Sequence, residues 1–393
     1  MAINKEEKIK NLLARNVQEV IEKDHLQKML LSGKKLRVKM GIDPTSPDLH
    51  LGHAVILRKL REFQELGHRV VLIIGDFTGK IGDPSERSET RKPLEDAEVK
   101  KNMKSYLSQA GKVIDIKKAE IVHNSQWFLK EGIQKMIELA MASTIQQVLR
   151  RADFKKRLEE DSDITFLELL YPLFQGYDSL MVKADVELGG TDQKFNLLMG
   201  RRVQRHFGMK EQDVLMVPLL EGLDGVRKMS KSFGNYIGLN ETSNSMFGKI
   251  MSLPDQLTSK YFYFCTEIEG DEIAGLEKKL NPKELKERLA FEVVKIYHGE
   301  NQAHTSKSDF IQLFSKREAP KDLPVLKTKK EISVADLVLA SRVFTSKAQA
   351  WRLIEQGGFS VNEKQKMNPR EVLKFRGGEV VKIGKKNFYR IKV

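Results

Sequence analysis

Apolar positions recur at helical spacing from residue 5 to residue 31, where Ile9, Leu12, Leu13, Leu26 and Leu30 stand among charges. The spacing predicts an opening amphipathic helix that stops at Gly33. A short strand, LRVKMGI (36–42), follows, then the loop DPTSPDLHLGH and a helical run from Ala54 to Leu66. RVVLIIGDF (69–77) is almost continuously apolar and β-branched, the pattern of a strand covered on both faces in a parallel sheet. Helix (94–110), strand (119–122) and helix (126–142) patterns come next, and this alternation argues for an open α/β sheet. Charges interrupt it between Arg150 and Asp163, which reads as a connective insertion near 125–163 dividing two halves of the sheet. A helix (164–182), a short strand ending in GGTDQ, a helix (192–207) and the apolar strand DVLMVPLL (213–220) complete the pattern.

After Asn240 the β signal disappears. The expected organisation is an α/β fold with a Rossmann-like parallel sheet over residues 1–240, then a helical domain over 241–318 whose helices are parted by SLPDQ and LNPKE. A Pro- and Lys-rich linker at 319–330 leads to a small α+β module over 331–393, with helices at 333–340 and 346–356 before short alternating strands.

Charge sharpens this picture. The chain of 393 residues carries a net charge of +14, and residues 331–393 hold 13 Lys+Arg against 6 Asp+Glu, so half of the excess lies in the last sixth of the chain. Such a tail should meet a polyanion. With 40% hydrophobic and 31% charged residues, wholesale disorder and fibrous repeats are excluded. The single cysteine, Cys265, rules out an internal disulfide framework and a Cys-based zinc site. No run of 18 apolar residues is present and the first residues lack an apolar stretch behind their charges, so neither a membrane partner nor secretion is expected, and the cytoplasm is the expected compartment.

Two motifs carry chemistry. His50-Leu51-Gly52-His53 lies between the first strand and a helix, where unpaired amides favour an anion, Gly52 lets a ring approach the backbone, and two imidazoles can donate to phosphate oxygens. On spacing alone, a loop with two solvated histidines remains equally open. Lys228-Met229-Ser230-Lys231-Ser232, among Gly222, Gly225 and Gly234, puts two ammonium groups on a loop that can close over a pyrophosphate gathering negative charge. A lone KxxK would be a basic surface turn; paired with an early HxGH loop in an α/β chain, it points to adenylyl transfer. Tyr171, Gln175 and Asp178 fall at i, i+4 and i+7, on one helical face ahead of Gly189-Gly190-Thr191-Asp192-Gln193 at a strand end.

HLGH and KMSKS together resemble the two signatures of class I aminoacyl-tRNA synthetases, and the segments around Tyr171 and Gly189 resemble those of the bacterial tyrosyl-tRNA synthetases, from about residue 35 onward. The resemblance implies that Tyr171, Gln175 and Asp83 hold the tyrosine ammonium, that Asp178 accepts the phenol, and that Gln193 and Asp43 lie along the substrate. It implies that Gly190 and Asp192 meet the ribose, and that Thr45, His50, Gly52 and His53 face the phosphates with Lys228, Met229, Ser230 and Lys231. Arg87 and Arg91 would close over the leaving pyrophosphate, although Arg87 replaces a usual lysine and Glu86 a glycine. Lys39 stands where many members carry a tyrosine that bonds the substrate hydroxyl, as in one subgroup of the bacterial enzymes. It is a candidate substrate contact, with a strand lysine snorkelling to solvent as the favoured alternative.

The C-terminal segment is similar to a small RNA-binding module named after a ribosomal protein, which would present Arg342, Lys347 and Arg352 to a folded RNA backbone. The implied activity is tyrosine activation by ATP and transfer to tRNA(Tyr), with Mg²⁺ arriving on ATP, no protein-bound metal, and residues 241–318 on the anticodon side. A homodimer is also implied, with the apolar helix 128–143 as its candidate interface. The alternatives are a tryptophan-specific synthetase, another adenylate-forming ligase, and an RNA-binding protein without activity.

Overall fold

The computed structural model describes residues 4–45, 47–84, 96–314, 323–344, 346–362, 364–384 and 387–393. The chain divides into two compact units, residues 1–303 and 304–393.

The first unit is built on six strands: β1 (Glu19–Ile21), β2 (Arg37–Ile42), β3 (Arg69–Ile74), β4 (Glu120–His123), β5 (Val186–Gly190) and β6 (Asp213–Val217). Their order is β1-β6-β5-β2-β3-β4, all parallel except β1, which runs antiparallel to β6 at the edge. β3 is buried from Val70 to Ile74, as its unbroken apolar run requires. Val71 and Ile73 face a core shared with Leu173, Phe174 and Tyr177 of the Phe166–Met181 helix and Met199 and Val203 of the Lys194–His206 helix. Thr165 opens the first of these helices with a capping box closed by Glu168, which also takes a buried ion pair at 2.7 Å from Arg157. Arg157 and Phe154 of the charged 150–163 stretch are therefore core residues, and the Ala152–Glu159 helix carries them.

Three expectations are corrected. The opening helix is two helices, Lys5–Leu12 and Lys23–Leu31, parted by β1; the chain turns at Asn16 and Glu22, with φ of 56° and 63°, so that residues 19–21 can pair with β6. The 126–142 helix is likewise broken, into Ser125–Phe128 and Ile133–Ala140, with Gly132 capping the second. Residues 325–327, assigned to a linker, form a strand, β7 (Val325–Lys327). Residues 319–322 of that stretch lie outside the described residues.

Helices follow the sheet, from Ser243–Met251 to Pro282–His298. The second unit contains β7, β8 (Glu331–Ser333), β9 (Phe359–Val361), β10 (Lys364–Gln365), β11 (Val372–Lys374), β12 (Val380–Ile383) and β13 (Asn387–Lys392). Five of these form a sheet in the order β10-β9-β12-β13-β7, with β7 parallel to β13, and β11 pairs with β8. Helices Val334–Ala340 and Lys347–Glu355 complete a separate apolar core around Leu337, Ile354, Phe359 and Val381.

Candidate active site

The strand order reverses between β2 and β5, and a cavity of about 880 Å³ opens at the carboxyl ends of these strands. Among the residues that line it are Asp43 and Thr45 after β2; His50, Gly52 and His53; Asp83; Tyr171, Gln175 and Asp178 on one helix; Gly190, Asp192 and Gln193 at and after the end of β5; and Lys228, Met229, Ser230 and Lys231.

At one end the carboxylates are held by donors from other elements. Asp178 is buried and accepts from Trp127 Nε1 at 3.0 Å and Asn124 Nδ2 at 3.3 Å. Burial pushes its carboxyl up to about 7, against the pull of Lys39 and these two donors. Asp43 accepts from Tyr171 Oη at 2.8 Å and Thr78 Oγ1 at 2.7 Å. Gly75 is required here, since a Cβ would stand 1.9 Å from Asp43 Oδ1. Burial and the carboxylates of Asp43, Asp83 and Asp178 hold the Tyr171 phenol well above its ordinary range, so it acts as a neutral donor.

Lys39 neither lines the cavity nor snorkels to solvent. It is completely buried, with its ammonium on Glu187 Oε1 at 2.6 Å, Ser179 Oγ at 2.8 Å and the Gln175 carbonyl at 3.1 Å. Those three acceptors use its three N–H groups, which leaves none for a ligand. Both sequence-based expectations for Lys39 are thus corrected: β2 is a central strand, and the lysine side chain is enclosed between it and the neighbouring elements.

Asp83 is tied across the cavity. It accepts from Gln193 Nε2 at 2.6 Å, while Asn196 Nδ2 donates to Gln193 Oε1 at 2.9 Å and the buried Arg151 guanidinium stands 3.9 Å away. Asp192 meets Lys228 Nζ at 2.8 Å. Burial and the Asp83 charge push Asp192 up to about 6, and burial pushes Lys228 down to about 8, so the pair is ionised between those values.

The two signature loops are stitched together. Leu51 N–H donates to the Ile237 carbonyl at 3.0 Å and Leu239 N–H to the Leu49 carbonyl at 2.9 Å, which joins the start of the Leu51–Glu65 helix to the chain just after KMSKS. The His50 and His53 rings lie 3.9 Å apart. Burial, reinforced by Lys228 and Lys231, holds both imidazoles neutral: His53 is pushed down to about 3 and His50 well below its ordinary value. The histidines therefore offer neutral N–H groups, and positive charge comes from the lysines, Lys231 also being pushed down to about 8 by burial. The KMSKS loop is shaped by Asn235, which is buried: its Oδ1 accepts from Ser230 N–H at 2.8 Å, and its Nδ2 donates to Asp224 at 2.9 Å and to the Lys228 carbonyl at 3.0 Å. Gly222 makes room for it, since a Cβ there would meet the Asn235 amide at 2.3 Å.

The family described as tRNA synthetases class I (W and Y) matches residues 31–315. This chain belongs to the class I tRNA synthetases. It is similar to the tyrosine–tRNA ligase of Thermotoga maritima, 45% identical over 98% of this chain and 97% of that protein. It is also similar to that of Aquifex aeolicus, 46% identical over 95% of each. Solved structures share the fold: a C-terminally truncated mitochondrial tyrosyl-tRNA synthetase of Aspergillus nidulans, with a TM-score of 0.66 at 22% identity, covers 78% of this chain and 94% of its own. Tyrosyl-tRNA synthetase of Archaeoglobus fulgidus, complexed with L-tyrosine, gives 0.63 at 22% identity, covering 77% of this chain and 100% of its own.

The remaining residues of this synthetase named from sequence lie elsewhere. Arg87 and Arg91 fall outside the described residues. Arg342, Lys347 and Arg352 are exposed in the second unit, Arg342 just past one helix and the other two on the Lys347–Glu355 helix. The sequence reading missed Asn124, Trp127, Thr78, Glu187 and Asn235. The first two follow β4 and the last follows KMSKS, but their partners sit 51 to 54 and 5 to 11 residues away with no periodic signal linking them.

Proposed function

We propose that this chain activates tyrosine with ATP and esterifies it to tRNA(Tyr). A tyrosine carboxylate oxygen attacks the α-phosphorus, the bond to the bridging oxygen breaks, and pyrophosphate leaves; a terminal ribose hydroxyl of tRNA then attacks the acyl carbon and releases AMP. No side chain has to act as nucleophile, so the protein contributes position and charge. Lys228 and Lys231 stabilise the phosphates, with Thr45 and the neutral N–H groups of His50 and His53 beside them and Met229 and Ser230 shaping the loop. Arg87 and Arg91 close over pyrophosphate. Gly52, Gly190 and Asp192 receive the nucleoside, while Asp83, Tyr171 and Gln175 receive the amino-acid ammonium, with Asp43 and Gln193 alongside.

The observation that carries the choice of tyrosine is Asp178, a buried carboxylate at the cavity wall whose oxygens already hold two neutral donors and can accept a phenol. Magnesium enters on the ATP phosphates, the oxygen ligands this hard cation prefers; Asp83 and Asp192 are engaged by Gln193 and Lys228. Lys39 supports assigning the chain to the bacterial subgroup with lysine at that position. The basic second unit binds tRNA through Arg342, Lys347 and Arg352, residues 241–318 form the anticodon-side domain, and the enzyme works in the cytoplasm. A homodimer accounts for the exposure of Leu129, Ile133, Ile137 and Met141, which are 59–81% exposed along one stretch.

Asp178→Asn tests the reading. Tyrosine affinity should fall about tenfold or more while ATP affinity holds within about twofold, because a carboxylate that accepts the phenol is lost and the nucleotide does not touch it. Equal losses for both ligands would remove Asp178 from the amino-acid site.

A further inference from the structure

Behind the Asp178 end of the cavity lies a charged network that the chemistry above leaves unused. Lys39 and Glu187 are opposite one another in register on the adjoining strands β2 and β5, 0% and 1% exposed. Glu187 Oε1 takes the Lys39 ammonium at 2.6 Å and, more weakly, Gln175 Nε2 at 3.4 Å; its Oε2 takes Ser179 Oγ at 2.9 Å and the Gln212 amide. The network thus grips the Phe166–Met181 helix at Gln175 and Ser179, on either side of Asp178. A buried ion pair stabilises a fold no better than apolar side chains of the same volume. What this pair offers is its place, since Glu187 and Gln175 also line the cavity.

We propose that Lys39 is a positioning residue that determines specificity: held by Glu187, Ser179 and the Gln175 carbonyl, it seats the helix so that Asp178 meets the phenol of the ligand. The inference rests on the tyrosine reading. The groups that act on Asp178 are Lys39 from β2, Asp43 just after that strand, Asn124 and Trp127 from the segment after β4, and Tyr171 from its own helix. Lys39 is the one cation in that set. Without it, Asp178 shares the buried end with Asp43 and takes up a proton at higher pH. A protonated carboxyl accepts poorly from a phenol, and phenylalanine, which has no hydroxyl, is indifferent to the change.

The test uses the full chain with Lys39→Met and with Lys39→Met/Glu187→Gln, the second relieving Glu187 of an unpaired buried charge. Pyrophosphate exchange is measured with tyrosine and with phenylalanine between pH 6 and 9, giving KM and kcat for each amino acid and KM for ATP. Both variants should raise the tyrosine KM about tenfold or more and leave kcat, ATP and phenylalanine within about twofold. The acid limb of kcat/KM for tyrosine should move up by about one pH unit. The inference is overturned if a folded variant keeps the wild-type tyrosine KM and pH limb, or if both amino acids and ATP lose equally. It is overturned too if the double variant fails to fold, which would assign the pair to the core. A wild-type protein that exchanges with tryptophan and not tyrosine overturns the functional reading, and the inference with it. Wild-type exchange with tyrosine, matched by the variants, overturns the inference alone.

Discussion

Asn235→Ala isolates the geometry of the KMSKS loop from its charges. The substitution removes the acceptor for Ser230 N–H at 2.8 Å and the donor to Asp224 at 2.9 Å and to the Lys228 carbonyl at 3.0 Å, while both lysines stay in place. At about 1 kcal/mol net for each bond, the ordered loop loses about 3 kcal/mol. With about 1.4 kcal/mol per tenfold, its population drops roughly 100-fold if the loop is then free to open. An open loop no longer aims Lys228 and Lys231 at the phosphates, so kcat/KM for ATP in tyrosine-dependent pyrophosphate exchange should fall about 30- to 100-fold. Tyrosine affinity, read by equilibrium dialysis, should stay within about twofold, because no tyrosine-side residue bonds to Asn235. Asn235→Asp should not rescue the rate, since it keeps an acceptor for Ser230 but sets a second carboxylate against Asp224. Exchange within about threefold of wild type, or a tyrosine affinity that falls as far as the rate, would mean that Asn235 does not set the loop's catalytic geometry.

Three further outcomes follow from the same structure. Burial pushes Lys228 and Lys231 down to about 8, and an ammonium is charged below its pKa and neutral above it, so kcat/KM for ATP should decline as pH rises through about 8; a flat profile to pH 9 would contradict the assigned charges. Cutting after Pro324 removes β7 together with the rest of the sheet it joins, so adenylate formation should survive while transfer to tRNA falls and the salt dependence of tRNA binding becomes shallower; unchanged binding and slope would make the basic unit a solvated surface. Ile137→Glu with Met141→Glu places two carboxylates on the exposed apolar stretch and should convert a dimer to monomers by analytical ultracentrifugation; a wild-type monomer, or a variant that stays dimeric, would discard that interface.

Sequence pattern reached furthest where one element carries its own signal. β3 is a run of buried aliphatics, and Tyr171, Gln175 and Asp178 share a helical face because three residues at i, i+4 and i+7 must. The HLGH and KMSKS loops could be named from their residues, but not the strand-like pairing of 49–51 with 237–239 that joins them. Pattern failed where the partner decides. Three residues at 19–21 are a strand only because β6 offers an edge, and Val325–Lys327 only because β13 does. Charge misled in the core: Lys39, Arg151 and Arg157 read as surface residues from their type, yet each is buried against an acceptor supplied from elsewhere in the chain. Asp178 could be singled out from its helical face, whereas Trp127 and Asn124, which donate to it, come from a segment 51 to 54 residues earlier.

The central claim is that this cavity selects tyrosine for adenylation. Amino-acid-dependent exchange of labelled pyrophosphate into ATP, run in parallel with tyrosine, tryptophan, phenylalanine and pantoate, addresses it most directly. Exchange is expected with tyrosine, none above background with tryptophan or pantoate, and weak exchange at most with phenylalanine, whose ring leaves the buried Asp178 carboxylate without its phenol. Exchange driven by tryptophan or pantoate, or exchange that needs no added acid, would contradict that claim.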